Sequence, residues 1–165
     1  MTSTLTTSTT ADAFGRATGL RCRECQAEYS LGAAYACAEC FGPLEVRYDL
    51  AGITRADIEA GPQNLWRYAP FLPVAPYAGE EPNLQPGMTK LVRADNLARE
   101  LGMTGGLWVK DDSGNPTHSF KDRVVAVAQS AARRLGLTTI ACASTGNLAN
   151  AVAAAAARAG QSSVV

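Results

Sequence analysis

Short apolar runs alternate with segments of helical periodicity in the second half of the chain. The apolar runs are of strand length and occupy residues 107–110, 138–143 and 162–165. Between them, apolar residues recur at helical spacing, which predicts helices over residues 120–135 and 148–159. The predicted buried face of the first helix carries Val124, Ala128, Ala131 and Leu135. This order of elements predicts right-handed crossovers and a parallel twisted sheet with flanking helices, an α/β fold.

The amino-acid composition argues against nucleic acid and membrane surfaces as binding partners. The 165 residues include 15 basic and 15 acidic residues, and only 18% are charged, against about 25% in ordinary domains. The sequence has no basic stripe with interleaved aromatic residues, so we expect neither nucleic acid nor a membrane surface as a partner. The run 151–157 is too short to span a bilayer. We expect a cytoplasmic protein whose partners are small molecules or copies of itself.

The composition divides the chain into four pieces. Residues 1–19 are rich in serine and threonine and predict a disordered tail, with an organellar transit peptide as the weaker alternative. Residues 20–48 hold four of the five cysteines, and residues 49–88 form an arm with six of the eight prolines. Residues 89–165 begin the α/β domain.

The cysteines form two CxxC pairs separated by eleven residues. Two such knuckles direct four thiolates at one tetrahedral centre, as in a zinc ribbon, so a closed, structural zinc site is predicted. Its ligands would be Cys22, Cys25, Cys37 and Cys40. Alternatives are two disulfides, four free thiols, or a ribbon that binds metal weakly; the lack of a secretory signal disfavours the disulfides. Tyr29, Tyr35 and Phe41 are predicted to form the small core of this module.

The proline-rich arm cannot hold a long helix or a central strand. Its aromatic residues, Trp66, Tyr68, Phe71 and Tyr77, are too many for a solvated linker. We therefore expect the arm to pack onto the next domain or onto a second subunit. After it, residues 88–94 predict a strand and residues 94–102 a helix.

Two polar loops, DDSGNPTHSFK and STGN, each follow a predicted strand and precede a predicted helix. In a parallel sheet, loops that leave the carboxyl ends of strands share one edge, so these two should flank one cleft with anion-binding helix N-termini. Ser119 is a candidate N-cap, which places Lys121 in the first helical turn. There the positive end of the helix favours a neutral, nucleophilic amine. The alternative is a solvated surface lysine beside Asp122.

The motif NPT-x-SFKDR, with S-x-G-N downstream, resembles the fold-type II pyridoxal-phosphate enzymes, and the CxxC pairs with NLWRYAP bring the resemblance nearest to the threonine synthases. The resemblance implies that Lys121 binds pyridoxal phosphate covalently and acts as the catalytic base. It implies that Phe120 packs beside the cofactor and that Asn147 donates to the ring hydroxyl. Ser144, Thr145 and Asn147 would receive the substrate carboxylate. His118 stands where many members carry glycine, so we interpret it as a loop-shaping residue or, less favoured, a proton relay.

The implied reaction converts O-phospho-L-homoserine and water to L-threonine and phosphate. The chain ends at Val165 within a predicted strand, whereas the resemblance implies further strands and a glycine-rich loop for the cofactor phosphate. We therefore interpret it as an amino-terminal fragment or a truncated gene product, and we expect these residues alone to aggregate or stay partly molten and to be inactive. Other hypotheses are a threonine dehydratase-like lyase, a cysteate synthase-like enzyme, or a non-catalytic zinc-ribbon module with an α/β remnant.

Overall fold

A computed structural model describes residues 14–75 and 84–165. These residues divide into two compact units. The first unit holds residues 14–62, 66–75 and 127–138. The second holds residues 63–65, 84–126 and 139–165.

A small antiparallel sheet organises the cysteine-rich part of the first unit. Its strands are β1 (Ala17–Cys22), β2 (Glu28–Tyr29) and β3 (Leu44–Tyr48), in the order β2-β1-β3. Strand β1 begins inside the predicted tail, so the tail boundary at residue 19 is wrong; residues 1–13 lie outside the described part of the chain.

The predicted aromatic core of this module is also wrong. Tyr35 and Phe41 are 86% and 85% exposed, whereas Cys22 and Cys37 are buried. The strands β2 and β3 have only two and five residues and leave too little apolar surface to cover large rings. The buried side chains of the module are therefore small or aliphatic and include Leu20, Cys22 and Cys37.

The arm is irregular over the residues that the structure describes. It holds the short helix α1 (Arg55–Glu59), which Thr54 and Asp57 begin with a reciprocal capping box, and a 3-10 helix over Leu65–Phe71. The prediction of no long helix and no central strand is therefore confirmed for residues 49–75 and 84–88. Trp66 is buried. Tyr77 lies outside the described residues.

The second unit contains two separate pairs of strands. Strand β4 (Lys90–Arg93) pairs antiparallel with β5 (Trp108–Asp111), and helix α2 (Asp95–Glu100) lies in their connection. Strands β6 (Thr139–Ala141) and β7 (Ser162–Val164) pair in parallel.

The predicted three-strand parallel order is thus correct for β6 and β7 and wrong for β5. The Ala94 N–H donates to the Leu107 carbonyl at 2.9 Å, which extends the β4–β5 pairing by one residue toward the connection between these strands. Within the described residues, β5 forms no ladder with β6.

Two longer helices follow the polar loops, as predicted. They are α3 (Lys121–Arg134) and α4 (Asn147–Ala159). Gly160 ends α4 in the left-handed conformation at φ +66°. A core of Val125, Ala151, Val152 and Ala155, with Ile140, Cys142 and Leu148 packed against it, joins the start of α3 to α4 and β6.

The predicted buried face of α3 is wrong for Val124 and Ala128, whereas Ala131 and Leu135 are half-buried. Val124 is 54% exposed and Ala128 is exposed. The buried side chains are one position away and include Asp122, Val125, Ala126, Gln129 and Ser130. Because this buried face includes polar residues, the spacing of apolar residues does not reveal it. Apolar spacing cannot identify a carboxylate, such as that of Asp122, that is buried together with its hydrogen-bond donors. In residues 14–75 and 84–165, no helix has both the length and the hydropathy to cross a membrane.

Candidate functional site

The loop between β5 and α3 is anchored by a buried asparagine. Asn115 is 2% exposed. Its Oδ1 accepts the Gly87 N–H at 3.0 Å, and its Nδ2 donates to the Asp112 carbonyl at 3.1 Å. Gly87 has φ +110°, and a Cβ there would lie 2.7 Å from the Leu65 nitrogen. Only glycine therefore allows this backbone approach to Asn115.

An ion pair joins the start of the loop to the first turn of α3. Arg123 donates from Nε and Nη2 to the two carboxylate oxygens of Asp112, at 2.9 and 2.7 Å. The Thr89 hydroxyl donates to the same carboxylate at 2.6 Å. The hydrogen bonds from the Arg123 guanidinium lower the pKa of Asp112, burial raises it, and the Thr89 hydroxyl lowers it further. The net result is a decrease of this pKa from 3.8 to about 2. The carboxylate is thus held in its ionised form.

Two further side chains fix the beginning of α3. Thr117 donates its N–H and its hydroxyl to the two carboxylate oxygens of Asp122, each at 2.8 Å. Ser119 Oγ accepts the Lys121 N–H at 3.2 Å, which confirms the predicted cap. These contacts define the backbone on both sides of Lys121.

Lys121 is the first residue of α3, and its side chain is half-buried. Its Nζ lies 4.6 Å from the centre of the Phe120 ring. Phe120 is itself exposed by more than half. The amine therefore lies beside an aromatic face that solvent or a ligand can reach.

His118 has a strained backbone. Its φ is +62°, in the region where glycine is favoured, and its Nδ1 lies 3.0 Å from the Ser113 carbonyl oxygen. The imidazole is thus occupied with the loop's own backbone. This geometry favours the loop-shaping interpretation over a proton relay.

The second polar turn, residues 144–146, leads directly into α4. The Gly146 N–H bonds to Ser144 Oγ at 3.3 Å, and no side chain caps the first turn of the helix. Thr145 and Asn147 are exposed, and the space where a Gly146 side chain would lie is open to 4 Å.

The two helix starts share one core. Val125 lies one turn beyond Lys121 and packs in the same cluster as Leu148, which follows Asn147. The starts of α3 and α4 therefore pack against one apolar core in the second unit.

The four cysteines of the first unit also come together. All four Sγ atoms lie within 4.8 Å of one another, and the pairs Cys22–Cys40 and Cys25–Cys37 are 3.5 Å apart. Tetrahedral thiolates around zinc, with Zn–S bonds of about 2.3 Å, lie about 3.8 Å from each other. The cluster therefore fits a single tetrahedral metal ion.

The two CxxC turns have the same backbone. Gln26 and Phe41, which follow the second cysteine of each pair, have φ of +66° and +58°. Their N–H groups donate to the carbonyls of Cys22 and Cys37, at 3.1 and 3.0 Å. These turns direct the N–H groups of residues 24, 25, 27, 39, 40 and 42 at the sulfur atoms. Such donors stabilise thiolates, the form that binds metal.

Hydrogen-bond donors lower the pKa of two of these thiols, Cys22 and Cys37. The Cys25 N–H is the main cause that lowers the pKa of Cys22. The Tyr29 hydroxyl, 3.1 Å from Cys37 Sγ, lowers the pKa of Cys37 to about 6. The same contact raises the pKa of Tyr29.

Comparison with known proteins identifies the class. The family model described as "Pyridoxal-phosphate dependent enzyme" matches residues 83–165, and the chain belongs to this family. Two of the similar relatives share one name. The threonine synthase of Methanosarcina acetivorans is 43% identical over 145 residues, which cover 86% of this chain and 35% of that protein. That of Methanocaldococcus jannaschii is 37% identical over 149 residues, 88% of this chain and 36% of that protein. The chain thus spans about a third of the length of these curated relatives.

Sequence patterns missed the residues that hold the loop. Asp112, Arg123 and Thr89 form one hydrogen-bonded group, yet they lie in three separate segments of the chain. The sequence offers one signal for this group, which is charge. An aspartate pair, Asp111 and Asp112, follows a predicted strand, and Arg123 lies in the first turn of the next predicted helix. Tyr29 was assigned to a core and instead contacts a cysteine.

Proposed function

We propose that the protein is a threonine synthase that uses pyridoxal phosphate to convert O-phospho-L-homoserine and water to L-threonine and phosphate. The observation that carries the proposal is Lys121 in its setting: a half-buried amine at the first turn of α3, beside an exposed aromatic ring, on a loop fixed by buried hydrogen bonds. Membership in the pyridoxal-phosphate family and the names of the relatives support it.

The residues of this chain fit such a cofactor. Lys121 supplies the amine that holds an aldehyde, Phe120 supplies an apolar face for a ring, and Asn147 supplies an amide for the ring hydroxyl. The open space at Gly146 and the absence of a side-chain cap in the turn before α4 agree with a ligand there. When bound, pyridoxal phosphate supplies an electron sink for carbanions at the substrate.

The roles of the chain's own residues follow from their positions. Lys121 Nζ takes protons from Cα and Cβ of the substrate and returns them to Cγ and Cα. Phosphate leaves from Cγ, the hydroxyl of water adds at Cβ, and the remaining proton of that water passes to the released phosphate. Ser144, Thr145 and Asn147 bind the substrate carboxylate, because an uncapped helix start offers backbone N–H groups and the positive end of the helix dipole. His118 shapes the loop.

Product analysis with the full-length protein tests this function. Protein loaded with pyridoxal phosphate should release phosphate and L-threonine in equal amounts from O-phospho-L-homoserine. Lys121→Ala should abolish release and remove the cofactor absorption band, with an unchanged circular dichroism spectrum, because no core packing is lost. Lys90→Ala, an exposed lysine of β4, is the matched control. Release of a 2-oxo acid and ammonia, or no turnover with this substrate, would contradict the assignment.

We also propose that Cys22, Cys25, Cys37 and Cys40 hold one structural zinc ion. The sulfur spacing, with every Sγ within 4.8 Å of the others, and the repeated N–H donors support a closed four-thiolate site. Metal analysis of freshly purified protein should find one zinc per chain, and none would refute the site. A cytoplasmic location and self-association stay predictions.

A further inference from the structure

Tyr29 connects the first hairpin of the cysteine module to the second CxxC turn. Strand pairing between Leu20 and Tyr29 places the tyrosine on β2. From there its hydroxyl lies 3.1 Å from Cys37 Sγ, and it accepts the Ala38 N–H at 3.0 Å. The ring is half-buried. The hydroxyl therefore bridges a ligand candidate and the backbone next to it.

The hydrogen bond from the Ala38 N–H shows which partner donates in the contact between Tyr29 and Cys37. The Ala38 N–H can only donate, so it uses a lone pair of the Tyr29 oxygen and leaves the hydroxyl proton for sulfur. A metal-bound cysteine is a thiolate and carries no proton to donate. Tyr29 is thus the donor and Cys37 the acceptor.

We propose that Tyr29 is a positioning residue of the metal site: its hydroxyl orients the Cys37 thiolate and offsets part of its charge. This inference rests on the proposed four-thiolate site. Four thiolates leave a divalent ion with a net charge of −2, which donors from outside the coordination sphere must balance. For Cys22, Cys25 and Cys40, those donors are backbone N–H groups; within the described residues, only Cys37 also has a tyrosine hydroxyl.

The test replaces zinc with Co²⁺ in the full-length protein and compares Tyr29→Phe with Tyr35→Phe. Both variants lose one hydroxyl from the same module, but Tyr35 is exposed. A thiolate without its hydrogen bond is easier to oxidise, so Tyr29→Phe should move the sulfur-to-cobalt charge-transfer band to longer wavelength. It should also weaken metal binding in chelator competition by about tenfold, the lower end for loss of such a partner. Tyr35→Phe should match the wild type in both.

A second substitution keeps the hydroxyl and the fold. With 3-fluorotyrosine at position 29, the hydroxyl is a stronger donor, so the charge-transfer band should move to shorter wavelength. Opposite shifts in the two proteins are the result that a purely structural role would not give. Bands and affinities equal to those of Tyr35→Phe would overturn the proposal for Tyr29 while leaving the metal site intact. A wild-type protein that binds neither zinc nor cobalt would overturn the metal site itself.

Discussion

The Asp112–Arg123 ion pair should control the stability of the loop that precedes Lys121. Asp112 accepts two hydrogen bonds from Arg123 and one from Thr89, and three backbone N–H groups of the loop, those of Asn115, Thr117 and His118, are bonded nearby. Asp112→Asn removes the charge and one anionic acceptor while keeping the size of the side chain. We expect the loop to open more often.

The magnitude follows from the acidity of Asp112. Its pKa decreases from 3.8 to about 2, and each tenfold change in proton affinity is about 1.4 kcal/mol. With a discount for a side chain that is 24% exposed, the ionised form stabilises the loop by about 2 kcal/mol. Because the pKa is lowered on folding, this stabilisation is present above pH 3.8 and is lost as the pH falls through about 2.

Hydrogen exchange measured by mass spectrometry at neutral pH provides the assay. A loss of about 2 kcal/mol should accelerate exchange of peptides covering residues 115–118 by about 30-fold in Asp112→Asn. The control is Asp95→Asn, which removes an exposed pair with Arg93 and should change local exchange by less than about threefold. Equal, small effects of the two substitutions would refute the reasoning.

Three further predictions concern the metal module and the backbone of the loop. Cys22→Ser should release the metal and accelerate hydrogen exchange over residues 17–48 while residues 84–126 and 139–165 keep their protection, since these belong to the other unit. His118→Gly should change the thermal midpoint little, because relief of strain at φ +62° offsets the lost contact with the Ser113 carbonyl, whereas His118→Val should cost about 1–3 kcal/mol. Gly87→Ala should cost about 2–4 kcal/mol in urea unfolding, because its Cβ would lie 2.7 Å from a backbone nitrogen, and Gly102→Ala, with φ +64° and open space, about 1 kcal/mol. Equal costs at the two glycines would contradict the proposed close approach.

The features that the sequence predicts correctly are those that depend on residues close together in the chain, namely the helix starts and the CxxC turns. Helices α3 and α4 begin close to the expected residues because caps and apolar periods are local signals, and Ser119 does cap the first turn. The CxxC pairs come together because each turn needs only a few residues and one positive φ.

The errors concern partners that are distant along the chain. Strand β5 pairs with β4 instead of β6, and no apolar pattern specifies which neighbour a strand chooses. The half-buried carboxylate of Asp112 and the buried carboxylate of Asp122 depend on Arg123 and Thr117, so hydropathy alone assigns them to the surface. Tyr29 resembles a core aromatic until its hydroxyl is seen beside Cys37.

The most direct test of the central claim is to locate the lysine that binds the cofactor. This chain contains three lysines, Lys90, Lys110 and Lys121. Full-length protein loaded with pyridoxal phosphate, reduced with borohydride and digested should carry the pyridoxyl group on the peptide that contains Lys121, at close to one group per chain. A pyridoxyl group on Lys90, on Lys110 or on a lysine outside these residues, or no stable modification at all, would contradict the assignment of Lys121.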